Sequence, residues 1–202
     1  MKEATEASLD RDAELMLRFK AGDQNAFEAL FERHCASLVN FAYRFVRSRD
    51  LAEELAQEVF LRVYDAAAGY RVTARFTTWL YRIATNVCLN EMRRPRFRVV
   101  HESLDSRVNE DSDAAPVELP DRGRPAADVL VQRRAVGDAL RVALEELPDK
   151  QRIAFVLNKY QELSHAEVAE VMSVSEKAVK SLIHRAKEAL AATLQPMMKD
   201  LL

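Results

Sequence analysis

Along the first ninety positions apolar residues recur every three or four places, the period of a helix buried on one side. Leu15, Met16 and Phe19 share a face of the segment Asp12–Lys20. Asp23 is placed as an N-cap before a long run that turns Phe27, Leu30, Phe31, Leu38, Phe41 and Phe45 inward. Asp50 is placed to cap a third helix with the stripe Leu51, Leu55, Val59 and Val63, and Gly69 stops it. A fourth helix begins near Thr77, runs to Pro95 and buries Trp79, Leu80, Ile83, Ala84 and Val87. Thr78, Arg82, Asn86, Asn90 and Arg93 line its opposite face.

The period disappears between Pro95 and Pro125, a stretch holding four of the six prolines. From Val100 to Asp121 seven acids stand against Arg107 alone, a composition that cannot bury enough apolar surface to fold by itself and reads as a flexible linker. Helical periodicity then returns. One helix is predicted from about Asp128 to Glu146, ended by Pro148, and a second carries Ile153, Phe155, Val156 and Tyr160. Ser164-His165-Ala166-Glu167 has the capping-box pattern and opens a short helix to about Met172. After a turn at Ser173-Val174, Ser175 can cap a last helix through about Leu194. The expected fold class is all-α, with two small helical domains and a helix-turn-helix at the end. The expected divisions are a tail at 1–11, a domain at 12–95, a linker at 96–127, a domain at 128–195 and a tail at 196–202.

Only 4 Gly and 6 Pro in 202 residues support this, because a β-rich chain needs far more turns. The longest apolar run, Ile153–Leu157, is far below the roughly 20 residues that span a bilayer, so membrane insertion is not expected. Met1–Asp10 shows no secretory signal, and two isolated cysteines, Cys35 and Cys88, fit a reducing cytoplasm. The glycines never cluster into a phosphate-cradling loop. No His or Cys lies at metal-ligand spacing from His34-Cys35, so a helix-surface histidine and a packed cysteine are expected there, with no metal and no cofactor. No nucleophilic triad or carboxylate pair can be argued from spacing, so an enzyme is not expected.

The formal net charge of −2, from 30 Lys+Arg and 32 Asp+Glu, first argues against nucleic acid. The distribution reverses that inference. Asp50, Glu53, Glu54, Glu58 and Asp65 make the third helix acidic against Arg62 alone. Arg71, Arg75, Arg82, Arg93, Arg94, Arg96 and Arg98 form a basic island against Glu91, with Tyr70, Phe76, Trp79 and Tyr81 interleaved. Such a face suits a single strand with bases drawn out, although Phe76 and Trp79 fall on the apolar stripe and read as core. Lys177, Lys180, Arg185 and Lys187, with Ser181 and His184, decorate the second helix of the helix-turn-helix, as expected of a helix that enters a major groove.

These segments resemble the bacterial sigma factors of RNA polymerase. Asp50-Leu-Ala-Glu-Glu-Leu-Ala-Gln-Glu-Val-Phe60 looks like their acidic helix, and Phe76-Thr-Thr-Trp-Leu-Tyr-Arg-Ile-Ala-Thr-Asn86 resembles the helix after the promoter-melting loop. Leu147-Pro-Asp-Lys-Gln-Arg152, Leu163-Ser-His-Ala-Glu-Val-Ala169 and Val179-Lys-Ser-Leu-Ile-His-Arg-Ala186 are similar to the promoter-reading domain. Two domains and an acidic linker match the extracytoplasmic-function (ECF) class. The resemblance implies that Glu54, Gln57 and Glu58 dock on the β′ clamp helices of RNA polymerase core, whose β subunit also takes part. It implies that the Tyr70–Arg75 loop, with Tyr70, Arg71 and Arg75, holds a flipped base of the minus-ten element. Arg82, Asn86, Asn90 and Arg93 would then follow the strand, and Lys177, Lys180, Ser181, His184, Arg185 and Lys187 would meet the minus-thirty-five element. It further implies an anti-sigma partner and a linker lying in the RNA exit path. Ser173 stands where the family usually has Gly, which requires a backbone outside the left-handed region or one under mild strain. The competing readings are a free-standing helix-turn-helix regulator and a metal- or thiol-using enzyme.

Overall fold

The computed structural model describes residues 10–94, 136–137 and 139–200, with side chains as far as 195. Its helices are α1 (Arg11–Lys20), α2 (Gln24–Val46), α3 (Arg49–Ala66), α4 (Phe76–Met92), α5 (Asp149–Lys159), α6 (His165–Met172) and α7 (Glu176–Asp200). A 3-10 turn, Ala67–Gly69, follows α3, and residues 139–145 are helical. No strand occurs among the described residues. The acidic linker, Arg96 and Arg98, and the start of the helix expected at Asp128 lie outside them.

Local chemistry explains the helix ends. Asp10 caps α1, whose first turn carries Asp12 and Glu14 and whose last turn carries Arg18 and Lys20, each sign opposing the helix dipole. Asp23 does occupy the N-cap of α2, but its carboxylate makes no capping bond. Arg18 takes it instead, at 2.6 and 3.0 Å, and this bond holds the carboxyl below its ordinary range. The expected cap of α3 is corrected: Ser48 caps it by accepting from the Leu51 N–H at 3.3 Å, and Asp50 sits inside the first turn. At the other end of the chain α7 stays helical through Pro196 to Asp200, past the expected stop near Leu194.

The first four helices bury Met16, Leu30, Leu38, Phe41, Phe45, Val63, Phe76 and Leu80 almost completely. Phe31 departs from the expectation: it is 38% exposed, its ring beside Phe60 at 4.7 Å. In the second block Val156, Leu157, Val168 and Val179 are closed to solvent, and Ala143, Leu144, Leu147, Ala186 and Leu190 form a satellite cluster. The two blocks pack on one another through α4 and α6, and one apolar core runs through both. Polar contacts reinforce this junction. The Arg44 guanidinium lies 3.9 Å from the centre of the Tyr160 ring, the Tyr81 hydroxyl donates to the Gln161 carbonyl oxygen, and Arg47 pairs with Glu145. A partly buried cation over an aromatic face contributes about 1–2 kcal/mol.

Candidate nucleic-acid interface

The helix-turn-helix is α6, a turn and α7. Both halves of the expected capping box are present. The Glu167 N–H donates to Ser164 Oγ at 3.2 Å, and Glu167 Oε2 accepts from the Ser164 N–H at 2.8 Å and its hydroxyl at 2.7 Å. Ser173 adopts φ 54° and ψ 46°, so the position where a glycine was to be expected is left-handed and strained. Ser175 Oγ then accepts from the Ala178 N–H at 3.2 Å and starts α7.

On α7, Val179, Ile183, Ala186 and Leu190 face the core, while Lys177, Lys180, Ser181, His184, Arg185 and Lys187 are all exposed. At about 100° per residue these six positions fill one arc of roughly 160°, opposite the buried stripe. Two acids just beyond the cationic run moderate it. Glu176 pairs with Lys180 at 2.8 Å, a bond that lowers the Glu176 pKa, and Glu188 lies 3.4 Å from His184. Such exposed pairs are weak and yield readily to a phosphate. Arg185 and Lys187 have no ion pair among the described residues.

The second basic surface follows α4. Arg82, Asn86, Asn90 and Arg93 are exposed along one side, as expected. Thr78, expected on the same face, is buried at the block junction, its hydroxyl 3.5 Å from Glu167 Oε1. In the preceding loop Arg71, Val72 and Thr73 are exposed, and Arg75 reaches Glu167 at 3.5 Å. Tyr70, expected among the strand contacts, is corrected to a core residue. Its ring lies 4.9 Å from Trp79 and 6.4 Å from Phe76, and its hydroxyl has no hydrogen-bond partner among the described residues. Burial, with Asp10 nearby, raises its pKa. Its place at the boundary between loop and apolar stripe is the sequence signal for its packing in the core.

The third surface is α3. Glu54 and Gln57 are exposed and Glu58 is half exposed. The acidity is partly neutralised, because Arg49 pairs with Glu53 at 2.8 Å and Arg62 with Glu58 at 2.6 Å. Glu54 has no ion pair among the described residues. Leu61, missed in the sequence reading, is 66% exposed and lies three, four and seven residues after Glu58, Gln57 and Glu54, on the same face. An apolar residue at the spacing of the acidic face, off the stripe ending at Val63, was the available signal.

His34 is not on the surface as expected. Its side chain is 12% exposed, with Nε2 2.9 Å from Asp12 Oδ2 and its ring against Phe76. Cys88 is buried and Cys35 partly so. No group of three or more His, Cys, Asp or Glu among the described residues is arranged to hold a metal ion. No described helix is long and apolar enough to cross a membrane.

A helix-turn-helix with a one-sided cationic arc, tied to a helical block with separate acidic and basic faces, defines a DNA-binding protein with a second, protein-docking surface. Comparison with known proteins narrows that class. The description Sigma-70 region 2 matches residues 30–98, and Sigma-70, region 4 matches residues 137–190. The RNA polymerase sigma-H factor of Pseudomonas aeruginosa is 30% identical over 95% of this chain and 97% of its own. The ECF RNA polymerase sigma factor SigW of Bacillus subtilis is 31% identical over 88% of this chain and 94% of its own. The fold is shared with the sigma factor RpoE of Bartonella quintana, solved in complex with the anti-sigma factor NepR. The TM-score is 0.60 at 21% identity, over 84% of this chain and 96% of that one. The chain belongs to the sigma-70 family, in its ECF class. It directs RNA polymerase to promoters, and a free-standing regulator is set aside because the match extends through both blocks. Sigma factors are initiation factors rather than catalysts.

Proposed function

We propose that the three surfaces divide the work of promoter opening among three partners. The α3 face, Glu54, Gln57 and Glu58 with Leu61 among them, docks on the β′ clamp helices of core polymerase, and the β subunit completes the assembly. The loop Arg71–Arg75 captures a base of the minus-ten non-template strand, and Arg82, Asn86, Asn90 and Arg93 follow that strand or the upstream duplex. Tyr70 serves as the buried floor of the loop. The α7 arc enters the major groove of the minus-thirty-five element, where Arg185, whose guanidinium has no ion pair among the described residues, can make a bidentate base contact. Opening is driven by stacking of extruded bases, about 1–3 kcal/mol each. The protein acts in the cytoplasm without a cofactor, and an anti-sigma factor holds it in reserve.

The observation that carries this reading is the opposition of the cationic arc on α7 to its buried stripe, on a helix positioned by the Ser164–Glu167 capping box. The test is run-off transcription and promoter footprinting with purified core polymerase. Arg185→Ala should weaken the minus-thirty-five footprint by about 1–3 kcal/mol while leaving polymerase binding intact. An unchanged footprint would sink the major-groove assignment. Glu54→Lys combined with Glu58→Lys should abolish assembly with polymerase, and co-purification that survived the double change would overturn the docking face.

A further inference from the structure

The loop between Tyr70 and Phe76 is held at both stems by the two ends of α1. At its entrance Lys20 Nζ donates to the Tyr70 carbonyl at 2.8 Å. At its exit the Phe76 N–H donates to Asp10 Oδ2 at 3.1 Å, while Asp10 Oδ1 accepts from the Asp12 N–H at 3.2 Å. The N-cap residue of α4 is Arg75, whose side chain makes no capping bond. Asp10, 66 residues upstream, therefore supplies a carboxylate that the start of α4 lacks, and one side chain caps two helices. Because α1 is a single helix of 10 residues, its ends cannot move independently, and they set the spacing of the loop stems. Beneath the exit stem His34 binds the buried Asp12 and packs on Phe76, which fixes α1 to the same floor. Inside the loop the Thr73 N–H donates to the Arg71 carbonyl at 3.0 Å, and the side chains of Arg71, Val72 and Thr73 remain in solvent.

We propose that α1 is a splint for this loop, and that Asp10 and Lys20 are positioning residues for base capture. The inference rests on the reading of Arg71–Arg75 as the strand-capturing loop. Asp10 and Lys20 act through the Tyr70 carbonyl and the Phe76 amide. A loop ordered before the base arrives does not have to lose its conformational freedom at the moment of capture. Releasing one stem returns that entropic cost to the opening step and leaves polymerase docking and duplex reading alone.

The experiment uses the full chain with core polymerase on a linear promoter fragment. Permanganate reactivity of minus-ten thymines reports opening. Anisotropy titrations report polymerase affinity and retention of the closed complex. Lys20→Met keeps the aliphatic stem and removes the donors; Lys20→Arg restores a donor; Asp10→Asn removes the charge shared by the two helix starts. Loss of one charge-assisted bond should lower the opening equilibrium about tenfold for Lys20→Met. Lys20→Arg should recover it, Asp10→Asn should reduce it, and both binding measurements should be unchanged. If Lys20→Met and Asp10→Asn open like the parent while Arg71→Ala with Val72→Ala does not, the splint is overturned and the loop reading stands. If the loop variant also opens normally, the loop reading fails and takes the splint with it. If Lys20→Met lowers polymerase affinity in step with opening, or Lys20→Arg fails to rescue, α1 is a stability element only and the proposal is wrong.

Discussion

Leu61 offers a sharp test of the docking face, because its side chain is 66% exposed and supports no core packing. Fully burying a leucine contributes about 1.5–3 kcal/mol, so covering the two-thirds now in water contributes about 1–2 kcal/mol. Leu61→Ala removes most of that gain and should weaken binding to core polymerase roughly five- to tenfold. Leu61→Asp places a charge in a contact that excludes water and should cost about a hundredfold. Neither change should move the urea midpoint appreciably, since surface substitutions away from caps and cores are close to neutral. The assay is an anisotropy titration of labelled protein with core polymerase at low and high salt. The loss from Glu54→Lys should shrink as salt rises, because it is Coulombic, whereas the loss from Leu61→Ala should persist. Parent-like affinity for Leu61→Asp would refute the reasoning, since no polymerase surface could then be covering this position.

Other expectations follow from the geometry of the turn, the junction and the thiols. Ser173→Gly should raise stability by about 0.5–1 kcal/mol, read as a higher urea midpoint, because the exposed serine holds φ 54° with no side-chain bond among the described residues; a lower midpoint would refute the strain. Burial pushes the Glu167 carboxyl upward, but the Ser164 hydroxyl and N–H, Arg75 and Thr78 outweigh it and hold it below the ordinary value. Its contribution is therefore complete above the unfolded pKa of about 4.3 and lost as pH falls through the folded one. Energy transfer between dyes on the two blocks should fall on acidification below about pH 4, and Glu167→Gln should flatten that response; a pH-independent parent signal would refute the linkage. Burial, with Glu58 adding to it, pushes the Cys88 thiol to about 12, and burial with Glu53 raises Cys35 less. Native alkylation near pH 8 should label Cys35 slowly and spare Cys88 until the chain unfolds. Equal labelling of both, read by mass spectrometry, would refute the burial of Cys88.

The helical architecture was legible because it depends on local periods and caps, and these are written in short stretches of sequence. The box at Ser164 and Glu167 is an i, i+3 pattern and was read correctly. The misplaced residues depend on how elements meet in space rather than on the period of their own helix, and for Thr78 and His34 the partner lies far along the chain. Asp23 has the right backbone position for a cap, but a neighbouring arginine takes its carboxylate. Thr78 sits at the spacing of an exposed face and is buried because α6 packs over it. His34 lies on the outer face of α2 by period alone, and only the arrival of α1 with Asp12 makes it interior. Tyr70 belongs to the core because the chain turns it back onto Trp79 and Phe76, which no local pattern states.

The same junction sorts the three proposed surfaces by their availability. The α7 arc and the Glu54–Leu61 face lie outside the contact between the blocks, so neither DNA reading nor polymerase docking competes with that contact. The minus-ten surface does compete. Glu167 takes Arg75 and the Thr78 hydroxyl at the start of α4, and the Tyr81 hydroxyl is bound to Gln161 one turn further on. On the proposed assignment, a strand phosphate at Arg75 would displace a carboxylate whose other contacts cap α6. The bonds of Glu167 to Ser164 lie within the α6 cap and do not depend on its contacts across the junction. The two sets of bonds to this carboxylate differ in length: those within the cap are at 2.7 and 2.8 Å, and those across the junction are at 3.5 Å. The longer pair is the weaker pair, and on the proposed assignment it is the one that a strand bound at Arg75 would replace.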